Sequence, residues 1–182
     1  MDTFLAETTD LLRRTPKVLK VLLHDLPDSW AETPDIEGGW RPRDVVGHLI
    51  TTELDNWIVR TRRLLEHGTS APFLPLDRFK HQGRDDDQSL HELVLRFSTL
   101  RSENLDRLAE LVSPEDLDRR GVHPALGEVT LRELLATWAV HDLDHISQIF
   151  AAMAGSRDDD VGPFKTYLGI LLRRDDPAAI AG

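Results

Sequence analysis

The chain has 182 residues, with 22 Lys plus Arg against 32 Asp plus Glu, a formal net charge of −10 and 40% hydrophobic residues. That balance disfavours a surface for nucleic acid or for an anionic membrane, since both are polyanions. The chain contains no cysteine, which excludes disulfides, thiolate metal sites and a cysteine nucleophile, so a transition metal must be held by His, Asp or Glu.

The length fits one domain, residues 1–182, with room for a hydrophobic core. No stretch of about 18 apolar residues predicts a membrane span. Met1-Asp2-Thr3-Phe4 lacks the basic and apolar regions of a signal peptide, so the expected location is the cytoplasm.

Helical periodicity dominates from the start, and alternating strand patterns are nearly absent. A first helical region is predicted over residues 3–26, with Leu5, Leu12, Leu19, Leu22 and Leu23 as its apolar stripe. Pro16 lies inside it and predicts two pieces or a kink, because proline lacks an N–H and crowds the preceding turn. Pro27, Pro34 and Gly38-Gly39 mark a loop. A second helix is predicted over 42–67, starting at Pro42 and stopped by Gly68. The connection that follows is long, holds Pro72 and Pro75, and ends in Asp85-Asp86-Asp87. That acidic run lacks the ligand alternation, glycine and final glutamate of a calcium loop, so it reads as a solvated turn.

Ser89 and Glu92 form a capping-box pattern for a third helix reaching about residue 111. Ser113-Pro114-Glu115 can start one further short turn, and His123-Pro124 with Gly127 marks a connection. Thr130 and Glu133 form a second capping box, opening a fourth helix that runs to about residue 154 before Gly155. A last short helix is expected over about 164–173. The expected fold is therefore all-α: an up-down-up-down four-helix bundle with short extra helices, in which the second and fourth helices run parallel.

The chemistry concentrates in His141-Asp142-Leu143-Asp144-His145. Two histidines four apart share one helical face, and their imidazoles can converge on one ion. They continue a stripe of Leu134, Trp138, Ile149 and Ala152, which turns them toward the core. A buried polar ring without a partner costs roughly 2–7 kcal/mol, so two stacked there call for a common partner. His48, among Val45, Leu49 and Thr52 on the second helix, is the natural third ligand. Three neutral imidazoles form a cap that leaves positions open, as catalytic sites do. Zn and Ni suit the site best, and Fe or Mn is compatible.

Thr52 and Asp55 share the face of His48, and Gln148 should lie level with them, so all three are candidate pocket residues. Trp138, one turn from His141, is a candidate pocket wall. Glu53 is about 140° around the helix from His48 and is expected to link to Arg60 or another helix instead. Asp142 and Asp144 flank the histidine pair off its face and read most simply as solvated carboxylates. His24, His67, His81 and His91 lack convergent spacing, and His123 reads as a structural loop residue. The chain has no Gly-rich phosphate loop, no G-x-S-x-G and no H-E-x-x-H; Asp142 stands where that last motif has its glutamate.

Trp40-x-x-x-Asp44-Val45-Val46-x-His48-Leu49, with Glu53 and Arg60, resembles the second-helix pattern of the DinB-like superfamily. His123-Pro124-x-x-Gly127-x-x-Thr130-Leu131-x-x-Leu134-Leu135, running into His141-Asp142-Leu143-Asp144-His145-Ile146-x-Gln148-Ile149, resembles its fourth-helix signature. The likeness covers nearly the whole chain. It departs at Arg41, where members often carry Ser or Thr, which touches a helix cap and not the metal.

The resemblance implies a four-helix bundle, a divalent metal on His48, His141 and His145, and a homodimer. Similar proteins include S-transferases that use bacillithiol or mycothiol, a mycothiol-dependent maleylpyruvate isomerase, and proteins called metal-dependent hydrolases. The activity it implies first is thiol-dependent S-transfer to small electrophiles, with a low-molecular-weight thiol as co-substrate. A metal-dependent hydrolase is the alternative enzyme. A metal-stabilised binding or structural protein is the non-enzymatic alternative. The reacting group would be a thiol or a water at the metal, with no catalytic side chain assigned.

Overall fold

The computed structural model describes residues 3–85 and 87–172. Four long helical segments pack side by side. They are α1 (Thr3–Leu23), the consecutive pair α3 (Pro42–Asp55) and α4 (Trp57–His67), α5 (Leu90–Leu111) and α6 (Leu131–Gly155). A single turn, α2 (Asp28–Ala31), precedes α3, and a 3-10 turn (Gly162–Tyr167) with α7 (Gly169–Leu172) follows α6. The expected C-terminal helix is thus mostly a 3-10 turn, and Arg173, like Asp86, lies outside the described residues. No helix among the described residues is long and apolar enough to cross a membrane.

Helix starts follow their local signals. Ser89 Oγ accepts from Glu92 N–H while Glu92 accepts from Ser89 N–H, and Thr130 and Glu133 repeat the arrangement for α6. At Arg41 the cap works without a hydroxyl. Asp44 accepts both the Arg41 N–H (3.0 Å) and its guanidinium (2.9 Å). Pro16 leaves α1 continuous over 21 residues, so the split into two pieces does not occur. The predicted helix over 42–67 is instead interrupted at Asn56, whose dihedrals (φ −116°, ψ −75°) depart from the helical values.

The directions of the helices differ from strict alternation. Arg43 reaches the carbonyl of Gln88, while Glu53 meets Arg101 and Asn104, so α3 and α5 run parallel. His48 meets His141, whereas Trp57, further on, stacks on Trp138, so α3–α4 and α6 run antiparallel. The order is up-down-down-up, and the second and fourth helices are not parallel as expected. The connection between His67 and Leu90 makes this possible. Its 22 or so residues can reach about 70 Å when extended, and the return along α3 and α4 needs only ~38 Å.

A small antiparallel ribbon, β1 (Arg120–His123) with β2 (Gly127–Thr130), stands where a plain connection was expected and joins α5 to α6. The returning connection pairs with it through Phe73 N–H to Val122 O (2.8 Å). Gly121 permits that approach, since a Cβ there would stand 3.1 Å from Leu64 and Phe73 side-chain atoms.

The apolar interior falls into two clusters. One holds Leu12, Trp57, Leu64, Leu105, Leu131 and Trp138; the other holds Leu19, Trp40, Val46, Ile50, Phe97 and Ile149. Between them lies a fully buried ion-pair network. Arg101 donates to Glu53 Oε1 (2.8 and 3.0 Å) and to Asp142 Oδ1 (2.9 Å), and Asn104 and Trp138 Nε1 also donate to Glu53. Asp142 is 0% exposed, so the expectation of a solvated carboxylate fails there. Glu53 links to another helix as expected, through Arg101 and not Arg60. Asp144, in contrast, is exposed.

Candidate metal centre

Beside this network, α3 and α6 bring three imidazoles together. His141 and His145 project from consecutive turns of α6, and His48 faces them across the helix contact. His141 Nε2 stands 3.3 Å from His48 Nε2 and 3.1 Å from His145 Nε2. One ring nitrogen of each lies within 4.8 Å of the others. Nitrogens about 2.0–2.1 Å from a shared tetrahedral ion would stand about 3.3–3.4 Å apart, so the observed spacing suits a facial cap.

The outer nitrogens explain the orientation. His48 Nδ1 donates to the Arg78 carbonyl (3.1 Å), and His145 Nδ1 donates to Gln148 Oε1 (2.9 Å). Gln148 is itself held by Asp35 through Nε2 to Oδ2 (2.8 Å), and Asp35 Oδ1 accepts the Trp40 N–H (2.9 Å). Protonation at Nδ1 leaves Nε2 of both rings as a bare lone pair aimed at the centre. Among the described residues His141 Nδ1 is buried without a hydrogen-bond partner, and the Trp57 ring stands edge-to-face with His141 at 5.1 Å.

Burial, and then the neighbouring histidines, push the pKa of His48 down to about 3 and that of His141 down to about 2; burial also lowers His145. All three rings are therefore neutral at pH 7. Neutral lone pairs crowded together in a desolvated site are the donor set that a borderline cation such as Zn or Ni takes, and the residues present fit it.

The candidate pocket residues divide. Thr52 lines the cavity beside the histidines, with its hydroxyl donating to Leu49 O (2.9 Å). Gln148 orients His145. Asp55 does not join the site; it pairs with Lys80 (2.8 Å), because it lies at the end of α3 facing the returning connection. Trp138 is not a pocket wall either. It is 0% exposed and stacks on Trp57 (5.6 Å), and Trp57 lines the cavity in its place. Trp40 packs against the rings of His48 (4.8 Å) and His145 (6.2 Å) from the other side.

The cavity has a volume of about 390 Å³ and reaches from the histidines to His123 on the ribbon. His123 lines the far end of that cavity, and its Nδ1 accepts the N–H groups of Ala125 and Leu126. Phe73, Leu76 and Arg78 bring the 68–89 connection into the cavity wall. Asp35 and Arg78 had no sequence signal, since neither stands at a helical offset from His48, His141 or His145. Gln148, three residues after His145, did.

A helical bundle with a three-histidine cluster on a cavity wall is the class of protein that fold and site define. The chain belongs to the DinB superfamily, whose family model matches residues 11–149. A protein from Bacillus cereus (strain 03BB102), provisionally named a metal-dependent hydrolase, is 27% identical over 153 residues, covering 82% of this chain and 83% of its own. A protein from Bacillus thuringiensis subsp. konkukian (strain 97-27), with the same provisional name, matches to the same extent. The solved structure of YfiT from Bacillus subtilis is similar in fold. Its TM-score is 0.69 at 24% identity, covering 80% of this chain and 83% of that one, and it is described as having an unusual four-helix bundle topology.

Proposed function

We propose that this protein is a divalent-metal-dependent enzyme, with His48, His141 and His145 as ligands, that transfers a low-molecular-weight thiol to small electrophiles. The supporting observation is the convergence of three neutral Nε2 atoms on the wall of a cavity large enough for a small substrate. A divalent ion there, Zn or Ni before Fe or Mn, would lower the pKa of a thiol or water bound to it. The chain's own residues set the ring tautomers, through Arg78 O and Gln148, and keep one side of the cluster dry with Trp40. Thiol transfer is favoured by the state of Asp142. Where an H-E-x-x-H hydrolase has its general base, Asp142 is locked into the Arg101 pair and faces away from the cavity.

Metal-dependent hydrolysis is the second reading, favoured by the names of the relatives. A purely structural staple accounts less well for the cavity beside the cluster. A homodimer belongs to the same reading by family resemblance, and sedimentation velocity checks it.

Elemental analysis of untagged protein purified without chelators tests the metal. The expected result is about one ion per chain, lost in His141→Ala/His145→Ala. No metal after reconstitution with Zn, Ni and Mn overturns the reading. Metal-loaded protein is then assayed with small thiols against a chloronitroarene, and separately with esters. Turnover of esters alone would replace transfer by hydrolysis.

A further inference from the structure

We infer that Arg60 anchors a carboxylate of the substrate, so that the cavity takes small acids with an apolar body. This inference rests on the reading of that cavity as the catalytic one. Arg60 follows Trp57 by three residues on α4, about one turn (~5 Å) beyond the ring that touches His141. It lines the same cavity as the three histidines.

Among the described residues, no carboxylate pairs with the Arg60 guanidinium and no acceptor takes its N–H groups. That stands out in a chain where 32 acidic residues face 22 basic ones. Of the described residues it is the Phe73 ring that holds it, with the guanidinium carbon 5.3 Å from the ring centroid. Partial burial lowers its pKa from the ordinary arginine value, the mark of a cation that has given up part of its solvation.

The cavity also has two carboxylates on its lining, and neither competes. Glu133 is engaged in the α6 capping box with Thr130, and Asp144 is exposed eleven residues further along α6, toward the histidine end. Trp57, Phe73, Leu76 and Leu134 supply apolar walls between Arg60 and the histidines. A fork of five donors matches a planar carboxylate, and an apolar body between the two ends would carry the reacting carbon to the histidines.

Calorimetric titration with phenylacetate and with its uncharged analogue phenylacetamide tests this. It is run on metal-free and Zn-loaded full-length protein and on Arg60→Gln. The expected result is a preference of roughly tenfold or more for the acid in both metal states, lost in Arg60→Gln. Equal binding of acid and amide by the wild type overturns the inference and needs no variant. A preference seen only with Zn and kept in Arg60→Gln also overturns it, because the acid then sits on the ion, while the metal reading survives. A preference lost in Arg60→Gln supports the anion subsite even if elemental analysis has removed the metal.

Discussion

Arg101 Nη1 donates to the carbonyl of Leu12 at 2.9 Å. That carbonyl is the one Pro16 leaves without a helical donor, since the N–H four residues on is missing. A side chain from α5 thus completes α1, which explains why the helix passes through its proline. The same guanidinium holds Glu53 of α3 and Asp142 of α6, so one residue ties four helices together at the level of the histidines.

Arg101→Leu should destabilise the protein by roughly 3–5 kcal/mol, because Glu53 and Asp142 would remain buried without their cation. Urea unfolding monitored by circular dichroism reads this directly. A loss below about 1 kcal/mol would mean that the two carboxylates take up protons at little cost.

Gln148→Leu should weaken metal binding by about 10–100-fold, since His145 loses the acceptor that fixes its tautomer. Gln148→Glu combined with Asp35→Asn keeps both the acceptor for His145 and the hydrogen bond behind it, and should retain most of the affinity. Competition with a chromophoric chelator separates the two variants, and equal affinity in both would remove the orienting role.

In metal-free protein the histidines make stability fall with acid. Their folded pKa values lie below the ordinary 6.5, with His48 at about 3 and His141 at about 2. Between 6.5 and about 3 the unfolded chain takes up protons that the folded chain refuses, so the unfolding free energy decreases as pH drops. Above 6.5 these groups add no slope. Urea midpoints measured from pH 8 to 5 should decline below about 6.5, and less steeply in His48→Gln. Parallel profiles would place the pH dependence elsewhere.

Gly47→Ala should push the returning connection off α3. A Cβ there would stand 3.1 Å from His81 Cβ and from Asp85 Oδ2. His81 is buried between this glycine and Trp40, which itself packs on His48. The expected outcome is about 1–3 kcal/mol of lost stability together with weaker metal binding. Unchanged melting and unchanged metal affinity would show that the connection adjusts freely.

The helices and the histidine cluster were legible in the sequence because their causes are local or periodic. Capping boxes at Ser89 and Thr130, the apolar stripes and the four-residue step from His141 to His145 each act within a few turns of one helix. His48 needed a second helix, yet its place on an apolar face already aimed it inward. Helix direction had no such signal, since a connection of this length reaches either end of the bundle. Asp142 read as solvated for a related reason: its burial depends on Arg101, 41 positions away. Asp35, 113 positions from Gln148, was equally hidden. Sequence by itself determined which elements form and which face carries the imidazoles, through short-range sterics and hydrogen bonding. Only the tertiary structure decided which buried charges meet, how the chain returns and where Arg60 points, because those depend on long-range packing that local periodicity does not encode.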